Sequence, residues 1–239
     1  MTFTAQSRVS DIAAGTPATI KIFQQHQIDF CCEGRATLDD ACARRHLDVD
    51  AILTELEGAD RKADESIGWL EAPIADLVRH IQKRYHEPLR AELGRLSGMM
   101  QKVVSRHGDR YPETLIPLGD VFDRFSRDLR AHMEKEDAVL FPAFVALAAA
   151  SSGARVDRLW LNIDQPIDRM ESEHAEAGEA LARMRALTNG YAPPEGACNT
   201  FRGLYYGLAE LEREMHVHVH LENHVLFPRV AALARSFGA

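Results

Sequence analysis

Residues 132–142 read HMEKEDAVLFP, and residues 218–228 read HVHLENHVLFP. Both place a glutamate four residues after a histidine, and both close on Phe-Pro. On a helix, positions i and i+4 share one face. Each stretch therefore sets an imidazole nitrogen and a carboxylate side by side, a pairing suited to metal ligation or proton transfer. The direction in which the shared face points decides between an exposed ion pair and a site.

Apolar seams of helices packed in a bundle advance by alternating steps of three and four. One such seam runs Phe122, Phe125, Leu129, His132, Glu136, Val139. A second runs Leu208, Leu211, Met215, His218, Glu222, Val225, and a third Ile167, Met170, His174, Ala177, Leu181, Met184. A fourth begins at His86 and continues through Leu89, Leu93, Leu96, Met100 and Val103. Upstream of His86 this register is broken, because Gln82 and Arg79 occupy it. Four helices thus turn a histidine inward, and two of them also turn in a glutamate.

An unpaired buried carboxylate costs several kcal/mol, so such a group must be neutralised, paired or bound to a cation. His86 and His132 are 46 residues apart, and His174 and His218 are 44 apart, which reads as a duplicated helical hairpin. Two hairpins face to face give a pseudo-twofold site: two metal ions capped by histidines and bridged by Glu136 and Glu222. Four imidazoles with two carboxylates suit iron, with manganese or zinc as alternatives. The His-x-x-x-Glu order differs from the Glu-x-x-His of ferritin-like di-iron bundles. His216, His220 and His224 form a separate stripe that faces away from the seam. They are expected to be solvated, with an exposed secondary metal stripe as the alternative.

The elements that must hold these residues are helical. Strand signals are nearly absent, and helical periodicity prevails. The sequence predicts an all-α protein. A small helical N-terminal domain over 1–60 has helices near 17–26, 37–44 and 48–57. GADRKADESIG at 58–68 reads as a linker. An up-down four-helix bundle over 72–236 follows, with helices near 73–106, 113–149, 156–188 and 196–236. HGDRYPE, SSGAR and TNGYAPPEG supply its turns.

The chain has 239 residues and a net charge of −8, with no basic stripe, so a nucleic-acid partner is not expected. No apolar run approaches a membrane span, and the N-terminus lacks a signal-peptide pattern, so a cytoplasmic protein is expected. Four cysteines, Cys31, Cys32, Cys42 and Cys198, are too few for a disulfide framework, and the adjacent pair does not readily bridge.

DFCCEG at 29–34, RYH at 84–86, HMEKEDAVLFP at 132–142, MESEHAEAGE at 170–179, PPEGAC at 193–198 and HLENHVLFP at 220–228 follow one another in a specific order. In these motifs nearly the whole chain resembles the iron–sulfur cluster repair di-iron proteins, the RIC (repair of iron centres) family. The resemblance implies a hemerythrin-like bundle with two non-haem iron ions and an N-terminal domain marked by its Cys-Cys pair. It implies His86, His132, His174 and His218 as terminal ligands and Glu136 and Glu222 as bridges, the set the seams select. It also implies an acidic residue beside the site, here Glu173. Two departures stand out. Pro88 follows His86 closely and is expected to kink the helix there, and Glu33-Gly34 stands where the family more often has two glycines.

The resemblance implies repair of damaged iron–sulfur proteins under oxidative or nitrosative stress, by supply of iron, with Cys31 and Cys32 assisting. The alternatives are an enzyme that reduces nitric oxide, peroxide or oxygen at the di-iron centre, with Glu173, Cys31 and Cys32 as candidate catalytic groups, or a sensor of nitric oxide or oxygen. Cys42, Cys198, Tyr85, Tyr205, Tyr206, His26, His46, His80 and His107 read as packing or surface residues.

Overall fold

The computed structural model describes residues 3–60, 68–150 and 163–238. Part of the expected linker, the SSGAR turn and the expected start of the third long helix at 156–162 lie outside these residues. The described residues are overwhelmingly helical and contain no β-strand, only an isolated bridge between Arg8 and Thr37. The all-α expectation holds.

The chain forms two compact units, which lie within 1–79, 143–167 and 216–239, and within 80–142 and 168–215. The first unit begins with α1 (Val9–Gly15), α2 (Ile20–Gln25), α3 (Leu38–Arg44) and α4 (Val49–Asp60). Three follow from the sequence. Thr37 caps α3 by accepting from the Asp40 amide at 3.2 Å, and Asp39 and Asp40 in its first turn complement the helix dipole. Helix α1 was not expected, because Arg8 at its N-cap supplies no side-chain cap signal. Val9, Ile12 and Ala13 nevertheless bury one face of it in a core with Phe23, Phe30 and Leu56. The same unit holds α8 (Phe141–Ala150) from Ala143 on, α11 (Phe227–Gly238) and the end of α10 (Asn199–His220), whose Val217 packs on that core. Arg229 of α11 donates to the backbone oxygens of Trp69 and Ala72.

The second unit is a four-helix arrangement. Its helices are α6 (Glu87–His107), α7 (Pro112–Lys135), and α9 (Asp164–Leu187) and α10 over most of their lengths, joined to α5 (Ile74–Ile81) at its entry. Leu93, Leu96, Leu118, Phe122, Leu181, Met184, Leu204 and Leu208 are buried, as the three-four seams require. Pro112 opens α7 where its missing amide is harmless. Asn189, at φ 50°, takes the left-handed conformation that ends α9, and the amide of Gly190 closes back on Arg185 O. Gly207 lets α10 approach α6, since a Cβ there would lie 2.6 Å from Leu96 Cδ2.

Candidate metal centre

Three stretches that carry candidate ligands are not regular α-helix. Gln82–His86, Glu136–Leu140 and Leu221–Leu226 are π turns set between α5 and α6, α7 and α8, and α10 and α11. Each closes with an i to i−5 hydrogen bond: Glu87 N to Gln82 O, Phe141 N to Glu136 O, Phe227 N to Glu222 O. A proline follows each turn by one residue, at 88, 142 and 228. A proline nitrogen cannot donate to the carbonyl four residues back, and its ring crowds that carbonyl. Widening the turn by one residue relieves both problems, and such wide turns recur at functional sites.

The extra residue rotates the downstream face by about 100°, which corrects two readings of the seams. Val139 is 53% exposed, and Leu140 takes its place in the core. Before His86 the buried face is Ile74, Leu77, Val78, Ile81 and Tyr85, so Arg79 and Gln82 never belonged to it. The expected kink at Pro88 is instead a π turn. His86 keeps helical angles, φ −62° and ψ −49°, and α6 runs on without interruption.

In the second unit His86, His132, Glu136 and His174 are brought together, each at most 3% exposed. Glu136 Oε2 lies 3.2 Å from His132 Nε2 and 3.5 Å from His86 Nε2, and His174 Nε2 lies 2.9 Å from His132 Nε2. Neither carboxylate oxygen of Glu136 makes a hydrogen bond. The other side of each imidazole explains this. His86 Nδ1 donates to Asp137 at 2.9 Å, and His132 Nδ1 donates to Glu173 at 2.9 Å. With the proton held at Nδ1, the Nε2 lone pairs point at the buried carboxylate. Lone pairs facing lone pairs in a dry interior require a cation. Two ligand atoms about 2.1 Å from one metal are separated by about 3.0–3.4 Å, within about 0.1 Å of each of these contacts. In the first unit His218 and Glu222 are fully buried, with His218 Nε2 3.0 Å from Glu222 Oε1.

The carboxylates behind the imidazoles are themselves held as anions. Burial works to raise the Glu173 carboxyl, but hydrogen bonds from Lys135, His132 and Arg169 outweigh it and bring it down to about 2. Burial is likewise overcome at Asp137 by bonds from His86, Gln82 and Arg90, and its carboxyl sits well below the ordinary range. Sequence reasoning found Glu173 but missed Asp137. The signal was present: Asp137 follows a candidate ligand, and the π turn that begins at Glu136 turns it toward His86. A cavity of about 700 Å3, whose lining includes His132, Glu173, His174, Lys135 and Arg169, leads from these imidazoles outward.

The stripe His216, His220, His224 does face away from the ligand side, but it is not solvated. His220 is 1% exposed, and its Nδ1 donates to Phe30 O at 3.1 Å. His224 Nε2 donates to Cys31 O at 2.7 Å, and Asn223 Nδ2 reaches the same oxygen at 3.4 Å. Phe30 packs edge-on against His216 and His220. Burial, then the nearby His224, lowers His220 to about 4, so the ring is neutral. The loop that carries Cys31 and Cys32 is thus clamped to the far side of the helix that bears His218 and Glu222. Gly34 permits the fit, since a Cβ there would meet Phe30 O at 2.5 Å.

All four cysteines are free thiols. Cys42 is buried in the N-terminal core, and Cys198 is exposed, 3.4 Å from His107 Nε2. Tyr85 and Tyr205 are core residues, whereas Tyr206 is 68% exposed.

Residues 78–230 match the family described as the Hemerythrin HHE cation binding domain. The chain belongs to the hemerythrin HHE family. Residues 5–60 match a second family, described as a Domain of Unknown function (DUF542). Among similar proteins, the iron-sulfur cluster repair protein ScdA of Staphylococcus haemolyticus is 37% identical over 226 residues, covering 94% of this chain and 97% of that protein. The iron-sulfur cluster repair protein YtfE of Pectobacterium atrosepticum is 35% identical over 221 residues, 92% of this chain and 95% of that one. That of Yersinia pseudotuberculosis is 37% identical over 219 residues, 91% and 93% of the two chains. Hemerythrin-like membership agrees with the buried histidine–glutamate groups, which are of the type that holds a metal ion. No helix among the described residues is long and apolar enough to cross a membrane.

Proposed function

We propose that this hemerythrin-like protein repairs damaged iron–sulfur clusters by supplying iron, and that His86, His132, Glu136, His174, His218 and Glu222 hold two non-haem iron ions, with the two glutamates as bridges. The observation that carries this reading is Glu136: a fully buried carboxylate without a hydrogen bond, faced by two imidazole nitrogens whose protons are held on the other side. The names of the relatives supply the repair role. The division into an N-terminal domain over 1–60 and a metal-binding domain over 72–236 belongs to the same proposal.

Bound iron would supply exchangeable metal to an apo-cluster. The chain's own residues do the rest. Asp137 and Glu173 keep the protons of His86 and His132 at Nδ1, so these rings are ready as ligands before any metal arrives. Glu173 is on this account a positioning residue, not a catalytic one. Imidazole and carboxylate ligands release ferrous iron more readily than a closed thiolate cage, and the cavity beside His132 and His174 gives a route out. Anaerobically purified protein should carry about two irons per chain, one for each His-x-x-x-Glu copy. Both Glu136→Ala and Glu222→Ala should lower that content. The holo protein should rebuild an apo-cluster enzyme faster than an equal amount of free ferrous iron does. Equal rates would remove iron supply as the function.

The same cavity favours a second reading, in which nitric oxide, peroxide or oxygen reaches the site and is reduced. Anaerobic incubation with nitric oxide and a reductant should then give nitrous oxide over many turnovers, whereas a single turnover would exclude it.

A further inference from the structure

The thiols of Cys31 and Cys32 are not among the six bundle ligands. They sit in a turn organised by one carboxylate. Asp29 Oδ1 accepts from the amides of Cys31 and Cys32, both at 2.9 Å, and from the Cys31 thiol at 3.4 Å. This turn brings the two sulfurs to 3.6 Å. Two fates suit a pair of thiols this close. A disulfide is resisted, because adjacent Cα atoms lie about 3.8 Å apart, below the about 4.4 Å minimum usual for a bridge. Chelation is favoured: two thiolates at about 2.3 Å from one tetrahedral ion lie about 3.8 Å apart, close to the separation found. One ligand atom from each of Asp29, Cys31 and Cys32 lies within 4.8 Å of the others.

We propose that Cys31, Cys32 and Asp29 form a second metal site, which takes one divalent transition-metal ion of borderline softness, ferrous iron or zinc. Binding is a proton exchange without redox change. The cation displaces one proton from each thiol to solvent, forms two metal–sulfur bonds, and takes an oxygen of the already ionised Asp29. A hydrogen bond with Cys32, then burial, then the charges of Cys32 and Asp29 push the Cys31 thiol well up. Without a cation it therefore stays protonated and is a poor nucleophile. The cage is preformed, because the oxygens of Phe30 and Cys31 are fixed by His220 and His224. It is also reachable. Cys32 is half-buried, and a cavity of about 160 Å3 lined by Asp29, Glu33 and Arg44 opens on the Asp29 side of the turn.

The site stands on residues separate from the bundle ligands, so it can be tested independently of the repair reading. The full chain is titrated anaerobically with cobalt(II), and thiolate-to-cobalt charge transfer is followed in the near ultraviolet. With the bundle already loaded with iron, one further equivalent per chain should saturate the sulfur band. Cys32→Ser and the Cys31→Ser/Cys32→Ser double variant should abolish it, and Cys42→Ser and Cys198→Ser should retain it. Cys32→Ser decides if the buried Cys31→Ser change disturbs folding, which far-ultraviolet circular dichroism reports. Glu136→Ala and Glu222→Ala should lose bundle metal yet keep the sulfur band, which separates failure of one site from failure of the other. Displacement of cobalt by zinc or by ferrous iron identifies the ion that the site prefers. Absence of the band, its survival in the double cysteine variant, or its loss in both glutamate variants would overturn the proposal.

Discussion

The two copies of the repeated stretch keep the same ligand pair and differ behind it. After Glu136 comes Asp137, and at the matching place after Glu222 comes Asn223. Asp137 accepts from His86 Nδ1 and is ringed by Gln82 and Arg90. Asn223 donates to Cys31 O. Two positions before the glutamate the contrast repeats: Glu134 is exposed, while His220 is buried against Phe30 O. Two positions after it, Ala138 is exposed and His224 holds Cys31 O. The two stretches share their inner face and differ on their outer one. One copy turns charge outward to orient a histidine, and the other grips a loop. One oxygen-to-amide change at 137 versus 223 marks the division.

The comparison can be broken most severely at Asp137. Asp137→Asn makes the first copy resemble the second and removes the anion behind His86, and metal affinity measured by chelator competition should fall about 10–100-fold. If it does not, the carboxylate is only a surface charge. Glu173→Gln removes the equivalent anion behind His132 and should act in the same direction. The reverse exchange, Asn223→Asp, should leave that orientation intact and instead set an acceptor against Cys31 O. Labelling of Cys32 by a thiol reagent should then accelerate about 10-fold, the effect of about 1–3 kcal/mol on loop opening. His224→Ala removes one donor to the same oxygen, for which about 5-fold faster labelling corresponds to about 1 kcal/mol. Unchanged labelling in both variants would mean that the loop is held by its own turn alone.

The smallest expected effect lies away from both copies, at Glu212 on α10. Burial raises its carboxyl, with Arg185 and Tyr191 offsetting this in part. A raised carboxyl in the folded state adds stability below its unfolded value of about 4.5, and that contribution is lost as pH rises through the folded value. Thermal unfolding of Glu212→Gln compared with the parent should therefore improve, in relative terms, from acid to neutral pH. A difference independent of pH would show that Arg185 fully compensates the burial.

The inward placement of His86, His132, Glu136, His174, His218 and Glu222 and the all-α class were legible because three-four periodicity is a local signal and an inward histidine or glutamate interrupts it conspicuously. The seams of α9 and α10 read correctly, with only Ala177 half-buried. The seam of α7 failed at Val139 and that of α6 upstream of His86, for one reason: a π turn adds a residue that no fixed period anticipates. The cause was nonetheless written as proline at 88, 142 and 228, where a missing amide selects the wide turn. The fate of His220 and His224 was not legible. Helical geometry says which side a residue faces, but not which distant segment covers that side, and the covering loop is almost two hundred residues away in sequence.

Gly34 carries a consequence for tolerated variation. Its neighbour Glu33 is exposed and pairs with Arg44 at the surface, so most side chains at 33 can be accommodated. At 34 even a methyl group would collide with backbone, since the obstacle at 2.5 Å is the Phe30 carbonyl and not a flexible side chain. Of positions 33 and 34, only the second is structurally bound to be glycine. Saturation mutagenesis at 33 and 34 should show an intolerant position beside a permissive one, a fingerprint by which the clamped turn could be recognised in a chain of unknown structure.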